Sequence, residues 1–540
     1  MMSRWSFLTG PAVNGKTRGS RALRRAAVLP VVAAVAVLAS GCDVVHVHFG
    51  SSGASASPGS TTFQPTLAFV QCMHSHGLKT FPNPSPGKSV TLQLTGNSPI
   101  VRDYDACKHL LPGASTTAPA TASASGAVPA DCLALRSPCL RPQQFRTAYG
   151  IQPLLDRGIT GRGQTVVLLE FPSPATGSPS AGAGGSAPAH TDVRQDLARF
   201  DSVFGLPAAR LQVVNTLAHA ASPWLAAGPV GTEEVLDTEI VHALAPDAAI
   251  REVLIPSSDT ASPDTVAAAL AAAMRLGLAQ HPAVMSLSIG AGEQCFTPAV
   301  TAQINSVLQT AQRDRVTVVV GTGDSGAATT VCPGPGPGAG STRVKGVDFP
   351  ASDPFVLAAG GTSLQASRTT GAYIGETAWN VPPAAGGPAA SGGGFSRLFS
   401  RPAYQDGIAG IGATRGLPDV SADADTHAGM ALDFSEGGKD HFIGAGGGSA
   451  APPLWAAVIA LADQYAGRDL GFVNPALYQI ARSACCQQAF HDVTTGTNTV
   501  KSGTQTIAGY QAAPGWDPVT GWGSPNAQAL VPLLARFVSP

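Results

Sequence analysis

The sequence predicts an α/β fold, a parallel sheet flanked by helices, preceded by a small Cys-paired module. Three observations carry this. Short runs rich in Val, Ile and Leu, each closed by Pro or Gly, recur along the chain: GRGQTVVLLEF (161–171), AAIREVLIP (248–256), AVMSLSIG (283–290) and RVTVVVGTG (315–323). Between them lie helical stretches, PDTVAAALAAAMRLGLAQ (263–280) and TPAVTAQINSVLQTAQRD (297–314). The 62 glycines and 44 prolines among 540 residues suit long connections better than a helical bundle. Strands alternating with helices imply a parallel sheet covered on both faces. In such folds sites are built beyond the carboxyl ends of the strands.

From the N-terminus, Arg18, Arg21, Arg24 and Arg25 precede an apolar run from Ala26 to Ala39. That run is short for a bilayer span and suits the apolar core of a signal peptide, read here as residues 1–42. It ends in LASGC (38–42), which resembles a bacterial lipobox and marks Cys42 as a lipidation candidate; an ordinary signal peptide with a chance cysteine is the plainer alternative. GPAVNGKT (10–17) fits the phosphate-loop pattern, but that loop needs a strand before it and a helix after it. Inside a leader it is a chance match.

Residues 43–61 and 114–130 are rich in Ser, Ala, Gly, Thr and Pro and read as linkers. Between them, 62–113 forms a small module, which Cys72 and Cys107 would staple, since so short a segment has little core. His74 and His76 there are metal candidates or, more simply, surface residues. If Cys42 is lipidated, the nine cysteines leave an even number, suited to an oxidising compartment. Proximity suggests Cys72–Cys107, Cys132–Cys139 and Cys295–Cys332, with Cys485 and Cys486 adjacent. The main domain is residues 131–540. A formal net charge of −1 argues against nucleic-acid and membrane-surface binding. The expectation is a monomer outside the cytoplasm, secreted or held at the membrane's outer face by a lipid alone.

The stretch GTGDSGA (321–327) contains the tetrapeptide that carries the nucleophile of trypsin-like proteases, which would make Ser325 the attacking residue. That reading needs a β-barrel and an upstream histidine base. The chain reads as α/β, and His190, His219 and His242 lie in no catalytic setting. A His-Gly-Thr helix start and a Gly-x-Ser-x-Gly elbow are also missing. Another base is available in GTEEVLDTEIVHALAPDA (231–248), where Val235, Leu236, Ile240, Ala243 and Leu244 form one apolar helix face. Glu233 and Asp237, four apart, share a face. Acids near a helix N-terminus are also favoured by its dipole alone. Yet Asp237 lies among core-facing positions, where an unpaired acid is costly, and two close carboxyls tend to share a proton. In GAGGGSAAPPLWAAVIALAD (444–463), Pro452 and Pro453 fit only a first helical turn, so Ser449 lies at a helix start. It is a plain N-cap serine or, with glycines that let a substrate backbone come close, a nucleophile.

Together these segments resemble the sedolisins, the serine-carboxyl peptidases, from about Cys139 to Pro540. EEVLD, GTGDSGA and GGGSAAPPLW are similar to the family's base, oxyanion and nucleophile segments; FPASDPFVLAAGGTSL, ETAWN and SGGGFSRLFSRPAYQ also look like family sequence. The resemblance implies a subtilisin-like fold and an endopeptidase acting on proteins or peptides. It implies Ser449 as nucleophile, Glu233 as base, Asp237 as its partner and Asp324 as oxyanion donor. Ser286, Ser288 and Gly290 of SLSIG would form a rim pairing with substrate backbone. HDVTTGTN and APGWDPVTGWGSP are similar to the two halves of the family's calcium site. They imply one structural Ca²⁺ on the carboxylates of Asp492 and Asp517 and the carbonyls of Val493, Ala513 and Gly515; two Asp/Gly turns without an ion are the alternative. A protonated Asp324 can donate where an ionised one would repel, so activity is expected in acid. A non-catalytic relative on the same fold is the competing reading.

Overall fold

The computed structural model describes residues 139–170, 193–215, 232–255, 263–330, 343–382, 389–436, 439–484, 487–502 and 504–538, together with the backbone of four strands nearer the N-terminus. The chain divides into two compact units, within Leu8–Ser123 and within Ala124–Pro540. In the first, β1 (Ala36–Ser40), β2 (Asp43–Gly50), β3 (Ser60–Phe63) and β4 (Ser89–Gln93) form an antiparallel sheet in the order β1-β2-β4-β3. β2 occupies the start of the stretch read as a linker. Its sequence DVVHVHFG is an extended-chain pattern that a composition count passes over. Cys42, Cys72, Cys107, Cys132, Cys332, Cys485, Cys486, His74, His76 and the phosphate-loop-like segment lie outside the described residues. Cys139 and Cys295 are each disulfide-bonded.

The second unit is built on eight strands: β5 (Thr165–Glu170), β6 (Arg210–Asn215), β7 (Ala249–Leu254), β8 (Val284–Leu287), β9 (Thr317–Gly321), β10 (Leu357–Ala366), β11 (Tyr373–Ala378) and β12 (Val420–Asp423). Their order is β11-β10-β9-β8-β5-β7-β6, with β12 also paired to β10. Every pairing is parallel except β10 with β11. The four apolar runs named from the sequence supply β5, β7, β8 and β9, at the middle of the sheet.

The strands are buried on both faces, so they are apolar at consecutive positions rather than alternate ones. Because side chains alternate across a strand, Val166 and Leu168 of β5 enter one core while Val167 and Leu169 enter the other. β9 splits the same way, with Val319 on one side and Val318 and Val320 on the other. The first core is covered by α4 (Thr232–Leu244), α7 (Ala451–Ala466) and α9 (Ala527–Phe537); the second by α5 (Pro263–Leu278) and α6 (Pro298–Arg313). Also present are α1 (Pro142–Ala148), α2 (Gln152–Leu155), α3 (Val193–Phe204) and α8 (Asn474–Arg482). α7 is wholly buried from Ala451 to Asp463 and ends at Gly467, whose φ of 66° lets it close the last turn. Each such Leu, Ile or Val contributes about 1.5–3 kcal/mol over its exposed state. No described helix is long and apolar enough to cross a membrane.

One ion pair lies fully inside this framework. Arg415 Nη1 and Nη2 each donate to Asp419 at 2.7 Å, and neither side chain is exposed. Asp419 also accepts from Tyr478 Oη (2.9 Å) and from the Ala358 amide (2.8 Å), which tie the pair to α8 and to the start of β10.

Candidate active site

Ser449 lies in a short 3₁₀ turn, Gly448–Ala450, that leads into α7. Pro452 and Pro453 occupy the helix's first turn, where no intrahelical N–H is lost. The approach depends on glycine. Gly447 has a φ of 81°, and a Cβ on Gly448 would stand 2.7 Å from Asp324 Oδ1. With that space open, the Gly448 amide donates to Asp324 Oδ1 at 2.6 Å. Asp324 itself follows the end of β9, as expected of a site beyond a strand's carboxyl end.

On the neighbouring helix, α4, the Ser449 hydroxyl comes close enough to favour the charged form of Glu233. Burial nonetheless pushes Glu233 up to about 8, with the nearby Asp237 and Asp324 charges adding to it. Asp237, one helical turn along, is fully buried. Burial raises it to about 7, opposed by the neighbouring Glu170 carboxyl and by the Ser288 hydroxyl. Ser288 Oγ stands 3.2 and 3.1 Å from the two Asp237 oxygens and 3.1 Å from the Ser449 carbonyl. Glu170, the last residue of β5, is held well above the usual carboxyl range by burial and then by Asp237 and Glu233, and its two buried oxygens have no hydrogen-bond partner. Asp324 is likewise raised by burial, opposed by the Gly448 amide and by Arg343. Hydroxyl, Glu233, Asp237 and Glu170 thus form one line, with Asp324 beside the hydroxyl's turn. Among the described residues no cation acts on Glu233, Asp237 or Glu170. The line must hold shared protons, and those protons belong to the set rather than to one residue.

All four expected catalytic residues therefore converge. The rim residues fare differently. Ser286 is wholly buried within β8, its hydroxyl without a partner, and so it cannot meet a substrate. Ser288 and Gly290 both stay partly open, but the Ser288 hydroxyl serves Asp237 rather than a peptide backbone. Ser325 is a turn residue bridged to Ala390, flanked by Gly323 (φ 90°) and Gly326 (φ 64°). His242 is buried at the far end of α4 against Asp201 and the Pro207 carbonyl, both at 2.9 Å; His190 and His219 lie outside the described residues. Glu170 escaped the sequence reading, although a lone acid closing an apolar strand is a visible signal.

Farther along, two loops carrying the proposed cation ligands meet. The Gly515 amide donates to Asp492 Oδ2 (2.9 Å), and Thr520 Oγ1 bridges Asp517 Oδ2 (2.9 Å) and the Val493 carbonyl (3.3 Å). The Ala513 amide also reaches Asp517 Oδ2, at 3.2 Å. Burial raises both carboxyls.

The Subtilase family matches residues 218–476. Kumamolisin of Bacillus sp. (strain MN-32) is 34% identical over 392 residues, spanning 70% of this chain but 62% of that protein, somewhat under two thirds. Sedolisin of Pseudomonas sp. (strain 101) is 29% identical over 495 residues, 86% of this chain and 78% of that protein. Human tripeptidyl-peptidase 1 is 30% identical over 277 residues, 47% of this chain and 43% of that protein. Among solved structures, Pseudomonas sedolisin complexed with two molecules of pseudo-iodotyrostatin superposes with a TM-score of 0.58 at 25% identity, covering 74% of this chain and 99% of that one. With the family's motifs now seen as one carboxyl line around Ser449, the chain belongs to the sedolisin family of serine-carboxyl peptidases, on a subtilisin-like fold.

Proposed function

We propose that this protein is an acid-acting endopeptidase. The observation that carries the reading is the line from Ser449 through Glu233 and Asp237 to Glu170, with Asp324 held at Gly448. In acid, one proton shared by Glu233 and Asp237 leaves one negative charge as base. Ser449 Oγ attacks the peptide carbonyl carbon as its proton passes to Glu233, which later returns it to the departing amine nitrogen. Water, deprotonated by Glu233, then attacks the acyl ester and restores the Ser449 hydroxyl. The tetrahedral oxygen needs a donor. Because Asp324 Oδ1 already accepts from Gly448, its proton sits on Oδ2, free to point at the oxyanion.

The test is hydrolysis of internally quenched, N-acetylated peptides from pH 3 to 8. Turnover is expected in acid, lower by roughly 10⁴-fold or more in Ser449→Ala and Glu233→Gln, and largely retained in Ser325→Ala. Cleavage confined to free N-termini in three-residue steps would replace the endopeptidase reading with a tripeptidyl one. Folded wild type without any turnover would favour a binding role.

We assign a structural Ca²⁺ to Asp492, Asp517 and the carbonyls of Val493, Ala513 and Gly515. The donor set fits. Among the described residues no group of three or more His, Cys, Asp or Glu is arranged to hold a metal ion, so an ion here must draw on backbone oxygens, as hard cations do. Bound calcium would pin the two loops together and take no part in the chemistry. At a hundredfold excess over its Kd it would add about 2.7 kcal/mol of stability; equal melting temperatures in Ca²⁺ and in chelator would refute the site. We further propose that the protein acts outside the cytoplasm, anchored through a lipid on Cys42, so that Cys42→Ser moves it from the membrane to the soluble fraction.

A further inference from the structure

A cavity of about 140 Å³ opens beside the Asp324 turn, lined among others by Ala327, Lys345, Val347, Arg397 and Tyr510. It is continuous with the site's own backbone. Ala327 is three residues past Asp324. Gly393, in the same wall, follows Gly392, whose amide donates to the Gly323 carbonyl at 2.9 Å. Space for it depends on Gly394, because a Cβ there would stand 3.2 Å from both Tyr510 and Val347.

The wall is basic. Ala328–Thr330 pairs antiparallel with Arg343–Lys345, and residues two apart on a strand leave from one side. Arg343 and Lys345 therefore line up, with Arg397 joined through its Nη2 to the Lys345 carbonyl at 3.0 Å. Lys345 Nζ rests 4.2 Å from the centre of the Tyr510 ring. Among the described residues none of the three cations is in a salt bridge. The Nη1 of Arg343 is enclosed without a hydrogen-bond partner, although Arg343 acts on both Asp324 and Asp348. The acids facing this wall are Asp324, Asp348 and Glu293. Burial raises Asp324, and raises Asp348 to about 6, against a hydrogen bond from Thr329. Glu293 is buried, its oxygens taken by Ser396 Oγ (2.5 Å) and the Arg397 amide (2.8 Å). At pH 5, below its raised value of about 6, Asp348 holds its proton.

We infer that Arg343, Lys345 and Arg397 form a subsite for an acidic substrate side chain, selecting peptides with Asp or Glu beside the scissile bond. This rests on the peptidase reading. A free aspartate is largely ionised at pH 5, so that is the pH for the test. Matched peptides carrying Asp or Asn on either side of the cleaved bond are compared by kcat/KM. Wild type is expected to favour Asp by about tenfold, the scale of one charge-assisted contact. The ratio should fall towards one in the Lys345→Gln/Arg397→Gln double variant and in Arg343→Gln, and invert in Lys345→Glu. Lys345 and Arg397 are exposed, so these variants keep their fold, checked by melting. Hydrolysis with no Asp preference in wild type, or a preference that survives the variants, overturns the subsite and leaves the peptidase standing. If nothing is hydrolysed, fluorescence anisotropy of the labelled peptides decides. Tighter Asp binding that depends on Lys345 keeps the subsite without the peptidase, and equal binding ends both.

Discussion

Two regions of the molecule bury carboxyl groups in opposite ways. Asp419 is enclosed with a guanidinium on both oxygens, a phenol and an amide, so its charge is answered at every lone pair. Asp237 and Glu170 are enclosed just as deeply, Glu233 somewhat less, and the three meet only hydroxyls and one another. The first arrangement fixes one protonation state and holds three segments together. The second leaves the protonation state undecided, which suits a group that must take and return a proton on every turnover. Asp419, Asp237 and Glu170 are equally buried, so the partner decides whether a buried acid acts as a joint or as a reagent.

Removing the partner on the framework side gives the largest effect. Arg415→Met strands Asp419 in the core and is expected to lower stability by about 3–5 kcal/mol in urea titration. A loss under about 1 kcal/mol would mean the two regions are not different in kind. On the site side the dependence is on pH. A carboxyl raised by folding binds its proton more tightly in the native state than in the unfolded one, so the native state is favoured in acid. It loses ground as pH climbs from the ordinary value near 4 through the raised ones, about 7 for Asp237 and about 8 for Glu233. For each group, every tenfold gain in proton affinity on folding corresponds to about 1.4 kcal/mol. The melting temperature is therefore expected to be higher at pH 4 than at pH 8; a rise between them would show that these acids are ionised and paired after all. The smallest effect concerns Asp324 alone. Asp324→Asn keeps an N–H donor that never titrates. Its acid-side kcat/KM should fall by about tenfold, well short of the roughly 10²–10³ that follows loss of a donor altogether. Its alkaline limb should shift upward, and an unmoved limb would assign that limb to another group.

Much of this was legible from the chain because the decisive residues sit in short local patterns. Glu233 and Asp237 share a helix face through their spacing, and Ser449 is placed by the two prolines behind it. The central strands announce themselves as apolar runs. What stayed hidden depends on which strand lies beside which. Glu170 meets Asp237 only because β5 sits between β7 and β8, and no local pattern states that order. Ser288 belongs by resemblance to a substrate-pairing rim, whereas its direction is set by the position of α4 across the sheet end. The basic wall likewise requires Arg397, far along the chain, to be brought against Lys345.

β5 carries one further consequence. Its two sets of side chains enter both cores, it is bonded on both edges, and its last residue is Glu170. Amide exchange at such a strand proceeds through global opening, not local fraying. The support for the base is thus tied to the slowest-exchanging part of the protein. Loss of activity on heating and loss of β5 protection should then occur as one cooperative event, with no partly loosened enzyme in between.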